Sequence, residues 1–236
     1  CRFVGGYADQ FNPTPYRGSN RAPAAERKGD VVDKRLADDA INWVHNQKAV
    51  SPDKPFFIYY APGTAHAPLQ APAEWIERFK GQFNQGWDKL REETYRRQLR
   101  DGVIPKGTKL TPRPHDIPAW DSLSNEQRLF YSRTMEVAAG MLAYQDDQLG
   151  RLFAELDRIG QFDNTLIMFV QGDNGGAAES GNAGAVNEMY RTFGGPIPEA
   201  ITPELLAKLG GEETRPAYPA GWAWATNAPF PGTKQY

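Results

Sequence analysis

The chain is poor in several residue types and patterns whose presence would have narrowed its function at once. It has a single cysteine, Cys1, so no internal disulfide can form and no pair of thiolates can grip a metal. The lack of disulfides leans toward a reducing compartment, but enzymes of oxidising compartments also do without them, so localisation stays open. No apolar run approaches the roughly 20 residues of a membrane span. Charge of one sign is not in excess: 27 basic and 29 acidic side chains give a net charge of −2, which excludes a nucleic-acid footprint. Histidine is scarce, with three in 236 residues. There is no initiating Met and no signal-peptide pattern at Cys1-Arg2-Phe3, and no closing helix before Tyr236, so an internal piece of a longer protein is expected.

What the chain does have is 19 prolines, 23 glycines and 12% aromatic residues, the composition of long, shaped, ordered loops around a packed core. Asp33 to Lys48 reads as a helix, with Leu36, Ala37, Ala40, Ile41 and Val44 at spacings of three and four. Asp33 then stands where an acid favours the helix dipole. After a Ser51-Pro52 break, Phe56 to Ala61 is aromatic and β-branched and reads as a buried strand. Ala73 to Lys80 and Gly86 to Arg100 read as helices. In the second, Lys89, Arg91, Arg96, Arg97 and Arg100 are balanced by Asp88, Glu92 and Glu93, which predicts a solvated face. Ser124 with Gln127 is a capping-box signature opening the longest helical pattern, carried by Leu129, Met135, Met141, Leu142, Leu152 and Leu156 to about Arg158 and closed by Gly160. Leu166 to Val170 is a continuous apolar run and reads as a strand buried on both faces. Helix, break and apolar strand in alternation is the rhythm of an α/β fold with a parallel sheet. Roughly sixty residues follow with little helix or strand signal except Pro203 to Leu209; Trp222 and Trp224 are expected to be well packed there, and the loop from Asn182 to Gly211 to help shape a pocket.

Candidate chemistry sits at the ends of the two predicted strands, where α/β enzymes keep their ligands. The second strand runs into Gly172-Asp173-Asn174-Gly175-Gly176. Asp173 and Asn174 are hard oxygen donors suited to Ca²⁺ or Mg²⁺, although Asp-Asn-Gly-Gly is also ordinary turn chemistry. The first strand runs into Pro62-Gly63-Thr64-Ala65-His66-Ala67-Pro68, a histidine on a proline-stiffened loop, which divides evenly between a structural and a catalytic role. His45, on a helix, and His115, in a Pro-rich loop, are expected at the surface, as are Asp146 and Asp147 on the long helix.

Taken in order, Phe56 to Pro62 with His66-Ala67-Pro68, the long helix, Leu166 to Gly175, and Gly232-Thr233-Lys234-Gln235-Tyr236 resemble the arylsulfatases of the alkaline-phosphatase superfamily, from about Gly5 to Tyr236. The resemblance implies a partial alkaline-phosphatase-like sandwich, mainly parallel sheet flanked by helices with long ordered loops, residues 1–236 being the central part of a catalytic domain incomplete at both ends. It implies hydrolysis of a small-molecule sulfate monoester, with Asp173 and Asn174 on a divalent cation, usually Ca²⁺, with Mg²⁺ or another as alternatives. It further implies that Asp173 helps activate the nucleophile and that His66 and Lys234 contact the sulfate, Lys234 also aiding the leaving group. The family's Cys-x-Pro-x-Arg motif, whose cysteine becomes a formylglycine nucleophile, is absent: Cys1 is followed by Arg2-Phe3-Val4. The segment alone is therefore expected to be inactive. A phosphate or phosphonate monoester hydrolase of the same superfamily and a non-catalytic homologue remain alternatives. Nucleic acid and a membrane span are not expected, and oligomeric state is left open.

Overall fold

The computed structural model describes residues 2–4, 9–13, 15–17, 20–21, 29–172, 174–193 and 200–234. Its architecture is helical, arranged around one long helix. Three short strands, β1 (Arg2–Val4), β2 (Pro15–Arg17) and β3 (Asn20–Arg21), form an antiparallel meander in the order β1-β2-β3. Among the described residues seven α-helices follow: α1 (Val32–Val50), α2 (Ala73–Glu77), α3 (Gly86–Arg100), α4 (Asn125–Arg158), α5 (Glu188–Phe193), α6 (Pro203–Lys208) and α7 (Ala220–Thr226). None of the described helices is long and apolar enough to cross a membrane.

Helix α4 begins and ends where its sequence says. The Ser124 hydroxyl accepts the Gln127 N–H at 3.2 Å, and the Gln127 side chain accepts the Ser124 N–H at 2.9 Å. This reciprocal cap satisfies two of the four orphan donors at the helix start. Gly160, at φ +66°, follows its other end. At about 1.5 Å per residue the 34 residues run roughly 50 Å, long enough for α1 and α2 both to pack along one helix. Its buried face carries Tyr131, Val137, Ala138, Met141, Tyr144, Leu152 and Leu156. Leu129 and Leu142, expected on that stripe, face solvent instead.

Gly140 is the point where α2 crosses α4. A Cβ there would lie 2.8 Å from the Ile76 Cα, closer than any side chain tolerates, so only glycine lets the two backbones meet. Beside this crossing is an aromatic centre: Trp87, Trp120, Trp222 and Phe83 pack edge to face or tilted and Tyr131 stacks on Trp87, with centroids 4.8–5.9 Å apart. Gly86 and Gly221 press directly against the Trp120 and Trp87 rings.

The expected mainly parallel sheet is not formed among the described residues. Phe56 to Ala61 and Leu166 to Val170 take no regular secondary structure, and both were expected to be buried strands. Phe57 is 79% exposed, Leu166 84% and Val170 87%. The physical reason is that β-structure is non-local: an apolar run becomes a strand only when another strand supplies its hydrogen bonds. Phe56 is held on one side, by an edge-to-face contact with Trp43 of α1 at 6.3 Å. Helices α5 and α7 lie in the stretch where little regular structure was expected. The charged face of α3 also departs from expectation, because Arg91 is buried, at 1% exposure.

Two glycines of the same helix separate these effects. A Gly140→Ala change is expected to destabilise the protein by about 1–3 kcal/mol, since the α2 backbone must move. Gly150→Ala, where an added methyl meets nothing within 4 Å, is expected to stabilise it by up to about 1 kcal/mol through helix propensity. Urea denaturation midpoints of the two variants check the opposite signs.

Candidate active site

The loop that carries His66 is tied down along its length. At its start, the Thr64 hydroxyl donates to Asp33 Oδ2 at 2.6 Å. The His66 N–H reaches the Gly63 carbonyl at 2.9 Å. Further on, the Leu69 N–H donates to the Pro216 carbonyl and the Ala71 N–H to the Gly210 carbonyl, at 2.9 and 3.0 Å. Gln70 is buried, accepting from the Gln10 N–H at 2.8 Å and donating to the Thr214 carbonyl at 2.8 Å. The His66 side chain itself is exposed. Its Nδ1 lies 2.8 Å from the Ala67 carbonyl oxygen. A carbonyl can only accept, so Nδ1 carries the proton and Nε2 is the atom turned to chemistry.

Residues 215–217 bridge this loop to the one after Asn174. Ala185 and Ala217 exchange backbone hydrogen bonds at 2.9 and 3.0 Å, and the Arg215 N–H reaches the Val186 carbonyl at 3.1 Å. The Glu188 N–H donates to the Arg215 carbonyl at 2.9 Å. Arg215 is itself anchored by Asp9 at 2.6 Å. Two segments far apart in sequence, 62–72 and 177–188, thus meet on a common extended piece of chain.

Asp173 lies outside the described residues. Asn174 is exposed, and the chain then turns at Gly175, at φ +84°. A Cβ on Gly175 would stand 3.0 Å from the Lys234 N, and one on Gly176 would stand 2.8 Å from the Ala223 Cα of α7. The pair of glycines is what lets this turn lie against two backbones. The Lys234 N–H donates to the Gly176 carbonyl at 2.9 Å. Next along, the Tyr218 phenol meets the Ala177 backbone; burial pushes that phenol up, and Glu179 adds to the push while the Ala177 contact opposes it. The Lys234 Nζ stands 3.5 Å from Glu179 Oε1.

Electrostatics joins the two halves. Burial raises the Glu188 carboxyl above its ordinary value, the neighbouring His66 opposes that rise, and Glu179 adds to it. The order His66, Glu188, Glu179, Lys234 therefore sets two acids between two basic side chains. His66 and Lys234 were expected from the sequence; Glu179 and Glu188 were not. The available signal was weak: Glu179 lies five residues beyond Asn174 on the same glycine-rich loop, a position that only the folded chain turns toward Lys234. His45 and His115 do not join this cluster. His45 pairs with Glu155, whose carboxyl the Arg158 guanidinium holds down to about 2. A cleft of about 290 Å³ between His45, Lys48, Pro52, Arg158, Ile159 and Gln161 lies away from the cluster.

The lysine end of the site is held by Arg91. Its guanidinium donates to the carbonyls of Trp224, Pro229 and Phe230 at 2.6, 3.1 and 2.8 Å and to the Thr111 hydroxyl at 2.7 Å, and it stacks 4.4 Å from the Trp224 ring. Burial lowers it to about 10, so it stays charged at neutral pH. Residues 227–234, which follow α7 and carry the chain to Lys234, hang from this cation.

A divalent cation finds only partial support. The Asn174 amide oxygen is a suitable donor, but Ca²⁺ takes 6–8 oxygens. Among the described residues no group of three or more His, Cys, Asp or Glu stands together to hold a metal.

Comparison with known proteins gives a consistent family. The family model "Sulfatase" matches residues 2–211. An uncharacterized sulfatase of Schizosaccharomyces pombe is 34% identical over 177 residues, 73% of this chain and 30% of that protein. An arylsulfatase of Klebsiella aerogenes is 29% identical over 238 residues, 97% of this chain and 48% of that protein. The chain thus spans less than half the length of these relatives. The crystal structure of yidJ, a candidate sulfatase of Bacteroides fragilis, overlaps with a TM-score of 0.44 at 18% identity, over 66% of this chain and 28% of that one.

Asp33 supplies a pH-dependent check on the His66 loop. Its burial raises the carboxyl above 3.8, against the opposing hydrogen bond from Thr64. The folded state then binds the proton more tightly than the unfolded state. Stability falls as pH rises from about 3.8 through the raised value, and stays lower above it. Asp33→Asn is expected to remove that fall and to be more stable than the wild type at pH 7, as read from thermal midpoints across pH 3–8.

Proposed function

Since the chain belongs to the sulfatase family, we propose that it forms part of the catalytic domain of an arylsulfatase-type sulfuric ester hydrolase, cleaving a small-molecule sulfate monoester to an alcohol or phenol and sulfate. One contact supports the reading: the Lys234 N–H on the Gly176 carbonyl, which holds the Lys234 backbone against the turn that follows Asn174.

In this reading the residues divide the work by charge. A sulfate monoester is an anion, and its cleavage loads negative charge onto the bridging oxygen. The Lys234 ammonium meets charge where it develops. His66, with Nδ1 committed to the Ala67 carbonyl, donates from Nε2 as the imidazolium to the departing oxygen. Asp173 and Asn174 would be ligands to a divalent cation, Ca²⁺ by preference, which supplies further positive charge when bound. The formylglycine nucleophile expected for the family does not lie among these residues, so residues 1–236 alone are expected to show no sulfatase rate. A phosphate or phosphonate monoester would meet the same donors, and turnover of an aryl sulfate against an aryl phosphate by the intact protein separates the two; a faster phosphate reaction overturns the sulfatase reading.

In the intact protein, Lys234→Ala is expected to lower aryl sulfate turnover by about 10²–10³-fold, the effect of removing one charge-stabilising donor. Asp173→Ala is expected to abolish the bound divalent metal in elemental analysis. Metal content unchanged from the wild type would sink the assignment of Asp173.

A further inference from the structure

We propose that Glu179 is a positioning residue for Lys234, orienting its ammonium toward the anion site; the proposal rests on the functional reading above and names a residue that reading does not use.

A carboxylate can steer a lysine only if its own backbone is held, and this one is. On its N-terminal side, Gly176 is clamped between α7 and Lys234: a Cβ there would reach the Ala223 Cα, and the Gly176 carbonyl takes the Lys234 N–H. Ala177 meets the Tyr218 phenol. On the C-terminal side, the Gly181 N–H returns to the Ala178 carbonyl at 2.8 Å and closes a turn around Glu179. Beyond it, Asn182 donates to the Asp116 carbonyl at 2.6 Å, and Ala185 is bonded twice to Ala217. Lys234 is therefore gripped at two levels by one loop: main chain by Gly176, side chain by Glu179 at 3.5 Å.

Lysine needs such help more than arginine would. Its ammonium is a point charge on a stem of four rotatable bonds, with no fixed fork to pre-orient it. With the Lys234 side chain 32% exposed, an untethered ammonium would spread over many rotamers. A separation of 3.5 Å is loose enough for the ammonium to keep donors for an anion while the carboxylate limits where it swings. Glu188 lies in the field of both Glu179 and His66.

The test is a double-mutant cycle in the intact protein, read in aryl sulfate hydrolysis. Glu179→Gln is expected to lower kcat/KM about five-fold, the range a partly exposed ion pair supports, and Glu179→Asp to fall between it and the wild type. In a Lys234→Ala background the Glu179→Gln change is expected to have no further effect, because residues acting as one unit are not additive. Wild-type activity in Glu179→Gln, or an equal loss in both backgrounds, overturns the proposal. So does tighter binding of inorganic sulfate by Glu179→Gln in titration calorimetry, which would mark the carboxylate as a competitor of the anion. If the wild type hydrolyses neither sulfate nor phosphate esters, the functional reading fails by itself. The cycle is then read in the dissociation constant for inorganic sulfate, where a loss confined to the Lys234 background still supports the pairing and an equal loss in both overturns it.

Discussion

A buried cation without a carboxylate holds the site end of this structure together. Taking a guanidinium out of water is costly unless its donors are met. Arg91 meets most of that cost with three backbone carbonyls, one hydroxyl and an indole face, its Nε–H alone being buried without a partner among the described residues. Neutral acceptors suit the place better than an acid would. Carbonyls belong to the chain, so each hydrogen bond fixes a backbone position, whereas a salt bridge would fix only another side chain. Those positions are the end of α7 and the turn at Pro229-Phe230, from which the chain runs to Lys234. If the cation were lost, the Phe230 carbonyl would be left without a partner among the described residues, at about 1–3 kcal/mol, while the Trp224 and Pro229 carbonyls would keep the Asn227 N–H and the Thr111 hydroxyl.

The aromatic centre makes this staple possible. Trp222 and Trp224 alternate around the short α7: Trp222 enters the ring cluster with Trp87 and Trp120, while Trp224 turns to Arg91. Gly221 and Gly86 let the helices close onto those rings. Helix α7 then presents its far side, Ala223 and Thr226, to Gly176. Packing in the centre is thus transmitted in one step to the turn after Asn174. The His66 loop is reached by a separate route, through Pro216 and Gly210. The two halves of the candidate site rest on different supports and meet at segment 215–217.

How legible this was from sequence depends on whether the determining contacts are local. The cap and stripe of α4 were readable because Ser124, Gln127 and the apolar spacing act within a few residues. His66, Asn174 and Lys234 were readable as motifs in order. Arg91 was not, because nothing in Lys89-Leu90-Arg91-Glu92 distinguishes a cation bound for the interior from its solvated neighbours. Its burial is decided by Trp224 and Pro229, more than a hundred residues away. Helix α7 was missed because Ala-Gly-Trp-Ala-Trp-Ala has no amphipathic period; it is buried all round, and such a helix shows no stripe. Glu179 and Glu188 carry no motif at all, and their roles arise from tertiary neighbours.

The apolar run before Asp173 carries the opposite lesson. Leu166 to Val170 has the composition of a core strand, yet its side chains stand 41–87% exposed. Burying one such side chain is worth about 1.5–3 kcal/mol, so five together are a large unrealised gain, and a contiguous exposed apolar surface marks an interaction site. The consequence falls on the candidate metal ligands. Downstream, Gly175 and Gly176 are fixed against Lys234 and α7. Upstream, no backbone partner holds residues 166–170 among the described residues. A ligand needs its oxygen placed within a few tenths of an ångström of the metal distance, and a segment anchored at one end cannot supply that. The downstream clamp alone suffices for Lys234 and Glu179, whose interaction is long-range and tolerant. It does not suffice for Asn174. The proposed anion contact and the proposed metal ligands therefore differ in their structural requirements: contacts among the described residues hold the backbone of Lys234, whereas the ligands would also need residues 166–170 to be held.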